Sequence, residues 1–199
     1  MQKGRLPSWN LRFDGMEPSI ATAGADWNVV VTLAEEGFRD AVHMLGKWGK
    51  VKRTHYYNVL GMKVEGVDAF LVDFTAAVTA TPGILNFVSH VVPLRQTFNF
   101  ISVDEFEERA RTIALAWVSQ LEGKSFHVRL HRRGFKGMLS TPKEEQFLDR
   151  TLLNALKDTS RVTFEDPDVI IQIETIDGRA GMSPWTREEI RSYPFLGVD

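Results

Sequence analysis

The chain has 199 residues, 43% of them hydrophobic and 25% charged, and its 24 Lys and Arg against 26 Asp and Glu leave a formal net charge of -2. That balance excludes a histone-like coat for nucleic acid, so any nucleic-acid site has to be a local cationic patch. The lack of cysteine excludes disulfides, thiol catalysis and Cys-based zinc sites, and no apolar run is long enough to span a bilayer.

Residues 1–25 are polar and rich in Gly, Pro and Ser, without the apolar core of a secretory signal. They read as a loosely ordered leader, and a cytoplasmic location is expected. Trp27 introduces a strand from Asn28 to Leu33. A helix follows over roughly Glu35 to Lys47, with Phe38, Val42 and Leu45 at helical spacing and Gly49 beyond it as a stop. Short strands are expected around Val51 to Thr54 and Tyr57 to Val64. A second helix starts near Val67, carries Phe70, Leu71, Phe74 and Val78 on one stripe, and ends before Pro82. Phe87 to Leu94 reads as the last strand. The order strand, helix, strand, strand, helix, strand is the split-βαβ, ferredoxin-like pattern, assigned to residues 26–101.

A second unit, residues 102–199, opens at Ser102. Ser102 and Glu105 have capping-box spacing, and Phe106, Ala110, Ile113, Ala114 and Trp117 give one helix an apolar face as far as Leu121. In the next strand Phe126, Val128 and Leu130 alternate with His127, Arg129 and His131, which separates an apolar face from a basic one. Thr141-Pro142-Lys143-Glu144 has the form of another capping box with proline at the first helical position. Phe147, Leu148, Leu152 and Ala155 mark the buried side of that helix. Val169 to Ile176 is a β-branched strand of the kind a sheet buries on both faces. Gly178 allows a turn, Arg179 to Ser183 forms a further strand, and Thr186 with Glu189 caps a terminal helix. The fold class is therefore α+β: a ferredoxin-like domain followed by an α/β domain.

The chemistry concentrates between Ser125 and Lys143. Arg129, Arg132, Arg133, Lys136 and Lys143 occur there with no acidic residue among them. A strand feeding a cationic, glycine-containing loop and then a helix is a cradle for phosphates; the other reading is a solvated basic loop. Lys50, Lys52 and Arg53, with Arg95 further on, offer a smaller set in the first half. His127 and His131 lack the carboxylate or thiolate neighbours of a metal site, so no metal is expected. Neither a Gly-x-Gly-x-x-Gly, a Walker loop nor a Gly-x-Ser-x-Gly occurs, and no cofactor is expected. Glu165, Asp166 and Asp168 around Pro167 suit an acidic turn, with an acid/base pair as the alternative, while Asp68 and Asp73 read as solvated helix residues. Trp9, Trp27, Trp48, Trp117 and Trp185 suit packing, with base stacking as the alternative.

The second half resembles a THUMP domain. The resemblance rests on the helix ending before Ser125-Phe126-His127-Val128-Arg129, on the basic Arg132-Arg133-Gly134, and on the strand from Val169 to Ile176 that follows the turn Asp166-Pro167-Asp168. The first half is similar to the ferredoxin-like domain that commonly precedes it. The resemblance implies RNA binding, chiefly of tRNA, and the local positive charge makes Arg129, Arg132, Arg133, Lys136, Lys143, Lys52, Arg53 and Arg95 the expected RNA-binding residues. Family members with a catalytic domain carry it in the same chain; this chain stops at Asp199. The expectation is a stand-alone, non-catalytic adaptor that presents RNA to a separate modifying enzyme, with neither DNA nor membrane as a partner. The alternatives are an enzyme using a pair such as Asp166 with His127, and a protein-interaction scaffold without RNA affinity.

Overall fold

The computed structural model describes residues 26–34, 38–157 and 159–198, with the side chains of 38–40 left aside. The leader, Trp9 and the expected helix start at residues 35–37 lie outside the described residues. The first unit consists of β1 (Val29–Leu33), α1 (Phe38–Leu45), β2 (Lys50–Arg53), β3 (Val59–Lys63), α2 (Val67–Ala80), a 3-10 turn over Pro82–Asn86 and β4 (Val88–Pro93). Its sheet runs β2-β3-β1-β4 with every neighbouring pair antiparallel, which is the ferredoxin-like arrangement. Strand alternation sends Val29, Val31, Leu33, Leu60, Met62 and Val91 to the helix side, where they meet Leu45, Phe70, Leu71, Phe74 and Val78. The opposite face carries Val30, Val59 and Val92, which pack with Trp27 and Leu94 against Ile176 of the second unit. Gly61 admits the Trp27 ring: a Cβ there would lie 3.3 Å from it.

The second sheet runs β5 (Gln96–Asn99), β9 (Arg179–Thr186), β8 (Val169–Ile176), β6 (Ser125–His131), β7 (Arg161–Val162). β6 lies parallel to β8 and β7, whereas β9 runs antiparallel to β8 and β5. α3 (Val103–Leu115), α4 (Val118–Leu121) and α5 (Thr141–Leu156) cover one face. Their Phe106, Ala110, Leu121, Leu148 and Leu152 close a core with Phe126, Val128, Leu130, Ile171 and Ile173. A short α6 (Arg187–Ser192) follows β9. Among the described residues no helix is long and apolar enough to cross a membrane.

Several expected details are corrected. The helix from Ser102 to Leu121 is interrupted at Ala116 and Trp117, the latter with its side chain buried. β9 continues past Ser183 through Pro184 to Thr186. Pro184 lies beyond the stretch of β9 that β5 pairs, where one side of the strand needs no amide. The Ser102 hydroxyl accepts from the Glu105 amide, but Glu105 Oε2 bonds the Ile101 amide instead of closing a box. Thr141 caps nothing: Ser140 is the N-cap residue, without a side-chain bond, and Glu144 turns inward toward Glu107. Thr186 and Glu189 do form the reciprocal capping box.

The two units are sewn together. Ile170 and Trp185 contribute to the first core, as do Phe195, Leu196 and Val198 from the C-terminal tail, whose Phe195 carbonyl accepts from the Val91 amide at 2.7 Å. Leu94 fills the space over Gly181, where a Cβ would come within 2.7 Å of it. Arg179 reaches across, donating to Trp27 O at 3.1 Å and pairing with Asp26 at 2.9 Å.

Candidate nucleic-acid interface

The basic segment leaves β6 at the end of the sheet where β8 turns into β9. Its path is fixed at both ends. The Arg133 amide donates to Thr175 Oγ1 at 2.9 Å, and the Asp177 amide donates to the Arg133 carbonyl at 2.9 Å. Gly134, at φ +98°, passes so close to the β8–β9 turn that a Cβ would sit 2.8 Å from Asp177 Cα. The Phe135 ring packs at 4.8 Å on Phe100, and Leu139 is buried in the second core. Between these anchors Lys136, Gly137 and Met138 are exposed. A short loop held in this way presents its cation with little ordering left to do.

The expected site residues take distinct roles. Arg132 is half-buried and donates to the Gly134 carbonyl, stiffening the loop. Arg133 is 20% exposed and ion-paired with Glu174, whose side chain is 1% exposed. Glu174 also bonds His131 Nδ1 at 3.0 Å and Gln172 Nε2 at 2.7 Å. Arg133, Glu174 and His131 line a cavity of about 200 Å³ between the units, with Thr32, His90 and Gly197 on its other walls. Arg129 is exposed on β6, and Lys143 is exposed in the first turn of α5. Arg95 is occupied elsewhere: it pairs with Glu189 at 2.9 Å and Asp68 at 3.2 Å, donates to Pro184 O, and stacks 4.5 Å over Trp185.

His127 departs from the expected basic face. Its ring packs at 5.2 Å on Phe164, its Nδ1 lies 2.9 Å from the Thr163 carbonyl, and burial lowers its pKa. The acidic turn is structural. Asp168 Oδ2 accepts from the Ser125 amide and hydroxyl at 2.8 and 2.7 Å, bonds that hold its pKa below the usual carboxylate range, while Asp166 pairs with Arg187 at 2.9 Å. Among the described residues no group of three or more His, Asp and Glu side chains gathers in a way that could hold a metal ion.

The first unit meets the basic loop through the β2–β3 turn. Thr54 Oγ1 donates to Val59 O at 2.7 Å and accepts from the Tyr56 amide at 3.1 Å, which fixes the turn. Tyr56 donates its hydroxyl to Asp177 Oδ1 at 2.8 Å, and His55 Nε2 lies 3.5 Å from the same oxygen. Burial and the bond to Asp177 push the Tyr56 phenol up to about 12, while the charges of Arg132 and Arg133 nearby pull it down. Along β2 the register sets Lys50 opposite Lys63 and Lys52 opposite Gly61, with Val51 and Met62 on the core side. Like charges directly opposite each other weaken a sheet, and Lys63 offsets part of this by pairing with Asp26 at 3.3 Å. Arg53, opposite Leu60, starts from the other face of the sheet. The structure therefore brings Arg132 and Arg133 to the Tyr56 turn, and keeps Arg95 apart.

Sequence reasoning passed over the Tyr56–Asp177 contact and the buried Glu174. An acid within Val169-Ile-Ile-Gln-Ile-Glu-Thr-Ile176 was the available signal, since such a strand tolerates one only when it is paired.

Residues 101–183 match the family model of the THUMP domain. A tRNA sulfurtransferase of Saccharophagus degradans is 38% identical over 144 residues, which make up 67% of this chain and 27% of that protein. The chain thus spans about a quarter of the length of the curated relative it matches. Among solved structures, PH1313 from Pyrococcus horikoshii Ot3 superposes with a TM-score of 0.57 at 13% identity, covering 79% of this chain and 54% of that one. A 4-thiouridine synthetase, solved as an RNA complex with bound ATP, gives 0.50 at 15% identity, covering 79% and 40%. These structural likenesses concern the fold. With β6, the basic loop, α5 and β8 all inside the matched segment, the chain carries a THUMP domain at residues 101–183, behind a ferredoxin-like unit.

Proposed function

We propose that the protein binds RNA, with tRNA as the ligand class, and presents it to a separate modifying enzyme. The observation that carries this reading is a pinned cationic loop, Arg132 to Met138, joined through Tyr56 and Asp177 to the hairpin that bears Lys50, Lys52 and Arg53. Backbone phosphates would meet Arg132, Lys136, Arg129, Lys143 and Lys52, with Arg53 at the hairpin's end; Arg133 would act from beneath, through its hold on the loop. The THUMP match supports RNA as the ligand, and the relative named as a tRNA sulfurtransferase supports tRNA and its modification. The adaptor role is supported by the use of His127, Asp166 and Asp168 in structural bonds, which leaves the acid/base alternative without its partners.

Phosphate contacts release counterions, so affinity for tRNA should fall linearly with salt on a double-logarithmic plot. Arg132→Ala with Lys136→Ala should lower affinity and flatten that slope by about one unit per lost contact. Unchanged binding and slope would sink the interface. For the adaptor role, unmodified tRNA incubated with the protein and a panel of group donors should yield no new nucleoside by mass spectrometry. Product formed without a second protein would make the chain an enzyme.

A further inference from the structure

Two consecutive tyrosines at the tip of the β2–β3 hairpin have opposite fates. Tyr56 turns inward to Asp177, whereas Tyr57 is 81% exposed, the most exposed large hydrophobic side chain among the described residues. Its backbone is nevertheless held. The Leu33 amide bonds the Asn58 carbonyl at 2.8 Å, Thr54 closes the turn onto Val59, and Tyr56 fastens it to the second unit. Tyrosine has only two side-chain torsions, so a ring on a fixed base costs little entropy to use.

Its surroundings select the ligand. Arg53 and His55 precede it in the same hairpin, and both are exposed; the neighbouring loop carries Arg132 and Lys136. A partner protein that buried the ring would want apolar surface around it. Of the other strongly exposed apolar residues, Val72, Ile101 and Phe164 belong to α2, the start of the second unit and the acidic turn, and Met138 alone lies in the basic loop, next to Lys136 and Gly137. An aromatic ring set among cations is the arrangement that stacks unpaired bases while the cations hold the backbone.

We propose that Tyr57 is a base-stacking residue, taking an unpaired nucleobase of the RNA whose phosphates lie along the Arg132–Lys136 loop. This rests on the RNA-binding reading above. The test uses an RNA hairpin with a blunt stem and the same hairpin with a short unpaired extension at its 5′ or 3′ end, one extension base being 2-aminopurine. Wild-type protein binds an extended RNA more tightly than the blunt one and quenches the probe. Tyr57→Ala should lose roughly tenfold in affinity for that extended RNA, lose the quenching, and bind the blunt hairpin as before. Tyr57→Phe should keep both properties. Equal affinity of the wild type for blunt and extended RNA overturns the stacking role, as does a Tyr57→Ala protein that behaves like wild type or weakens on both RNAs alike. A wild-type protein that binds none of these RNAs overturns the RNA-binding reading itself, and this proposal with it. Because Tyr57 is exposed, the melting temperature of Tyr57→Ala should match that of the wild type.

Discussion

Glu174 is a carboxylate in the middle of a strand whose eight residues are all buried. Its charge is met by Arg133, His131 and Gln172. Breaking a buried pair strands the remaining charge and typically costs about 3–5 kcal/mol. Arg133→Ala should therefore lose on the order of 3 kcal/mol in urea unfolding, discounted somewhat because Arg133 keeps partial contact with water. Arg132→Ala should stay within about 1 kcal/mol of wild type. Equal stability of the two variants would refute this division of labour. In the sequence the two arginines are adjacent and equivalent. They differ because β8 carries an acid opposite His131, and that pairing across 41 positions has no local signature. The basic segment was legible as charge, but the roles within it were set by tertiary partners.

Among the elements, α5 does more than cover the sheet. β7 pairs only with Ser125 and Phe126, so the rest of that β6 edge would be left open. Asp149 Oδ1 accepts from the Val128 amide at 3.0 Å and Glu145 Oε1 from the Leu130 amide at 2.8 Å, one helical turn apart. Burial pushes Asp149 up to about 7, the Val128 amide opposing it and Glu145 adding to it. On the α3 side, burial and contact with Glu107 push Glu144 up to about 7 as well. Both pKa values lie above the unfolded ones of 4.5 and 3.8, so the folded state holds the extra protons. Their contribution to stability should decline as pH rises from about 4 to about 7 and level off above that, opposed by His127, whose lowered pKa favours the fold toward higher pH. Glu144→Gln removes its share of the penalty. It should be more stable than wild type by on the order of 1–3 kcal/mol near pH 8 and equal to it near pH 4. A Glu144→Gln advantage that grows toward acid would refute the sign. Helix and strand periods marked nearly every element, including α5 itself. They missed β5 and β7, which are too short for a pattern, and could not show that α5's polar stripe faces a strand edge rather than water.

At the scale of the whole molecule, the proposed RNA face exists only because the two units are registered on each other. Leu94 against Gly181, Arg179 on Trp27 and Asp26, and the C-terminal tail at Val91 set their packing, while Tyr56 with Asp177 aligns the hairpin to the basic loop. A fragment from Ser102 onward would lack β5 and would bare Ile170, Ile176 and Trp185, so it confuses folding with binding. A single atom makes a cleaner test. Tyr56→Phe keeps the ring and deletes the hydroxyl that reaches Asp177, at a cost of about 1 kcal/mol in stability. If one RNA engages both the hairpin and the loop, the second contact forms at the high effective concentration set by their fixed spacing. Loosening that spacing should weaken tRNA binding severalfold, and Lys50→Ala with Lys52→Ala should then flatten the salt slope less in the Tyr56→Phe background than in wild type. Strict additivity of the hairpin and latch substitutions on tRNA affinity would mean that the latch does not couple the hairpin to the loop. Coupling between them would make the latch, which buries no charge and joins residues 121 positions apart, the feature that turns two modest patches into one surface.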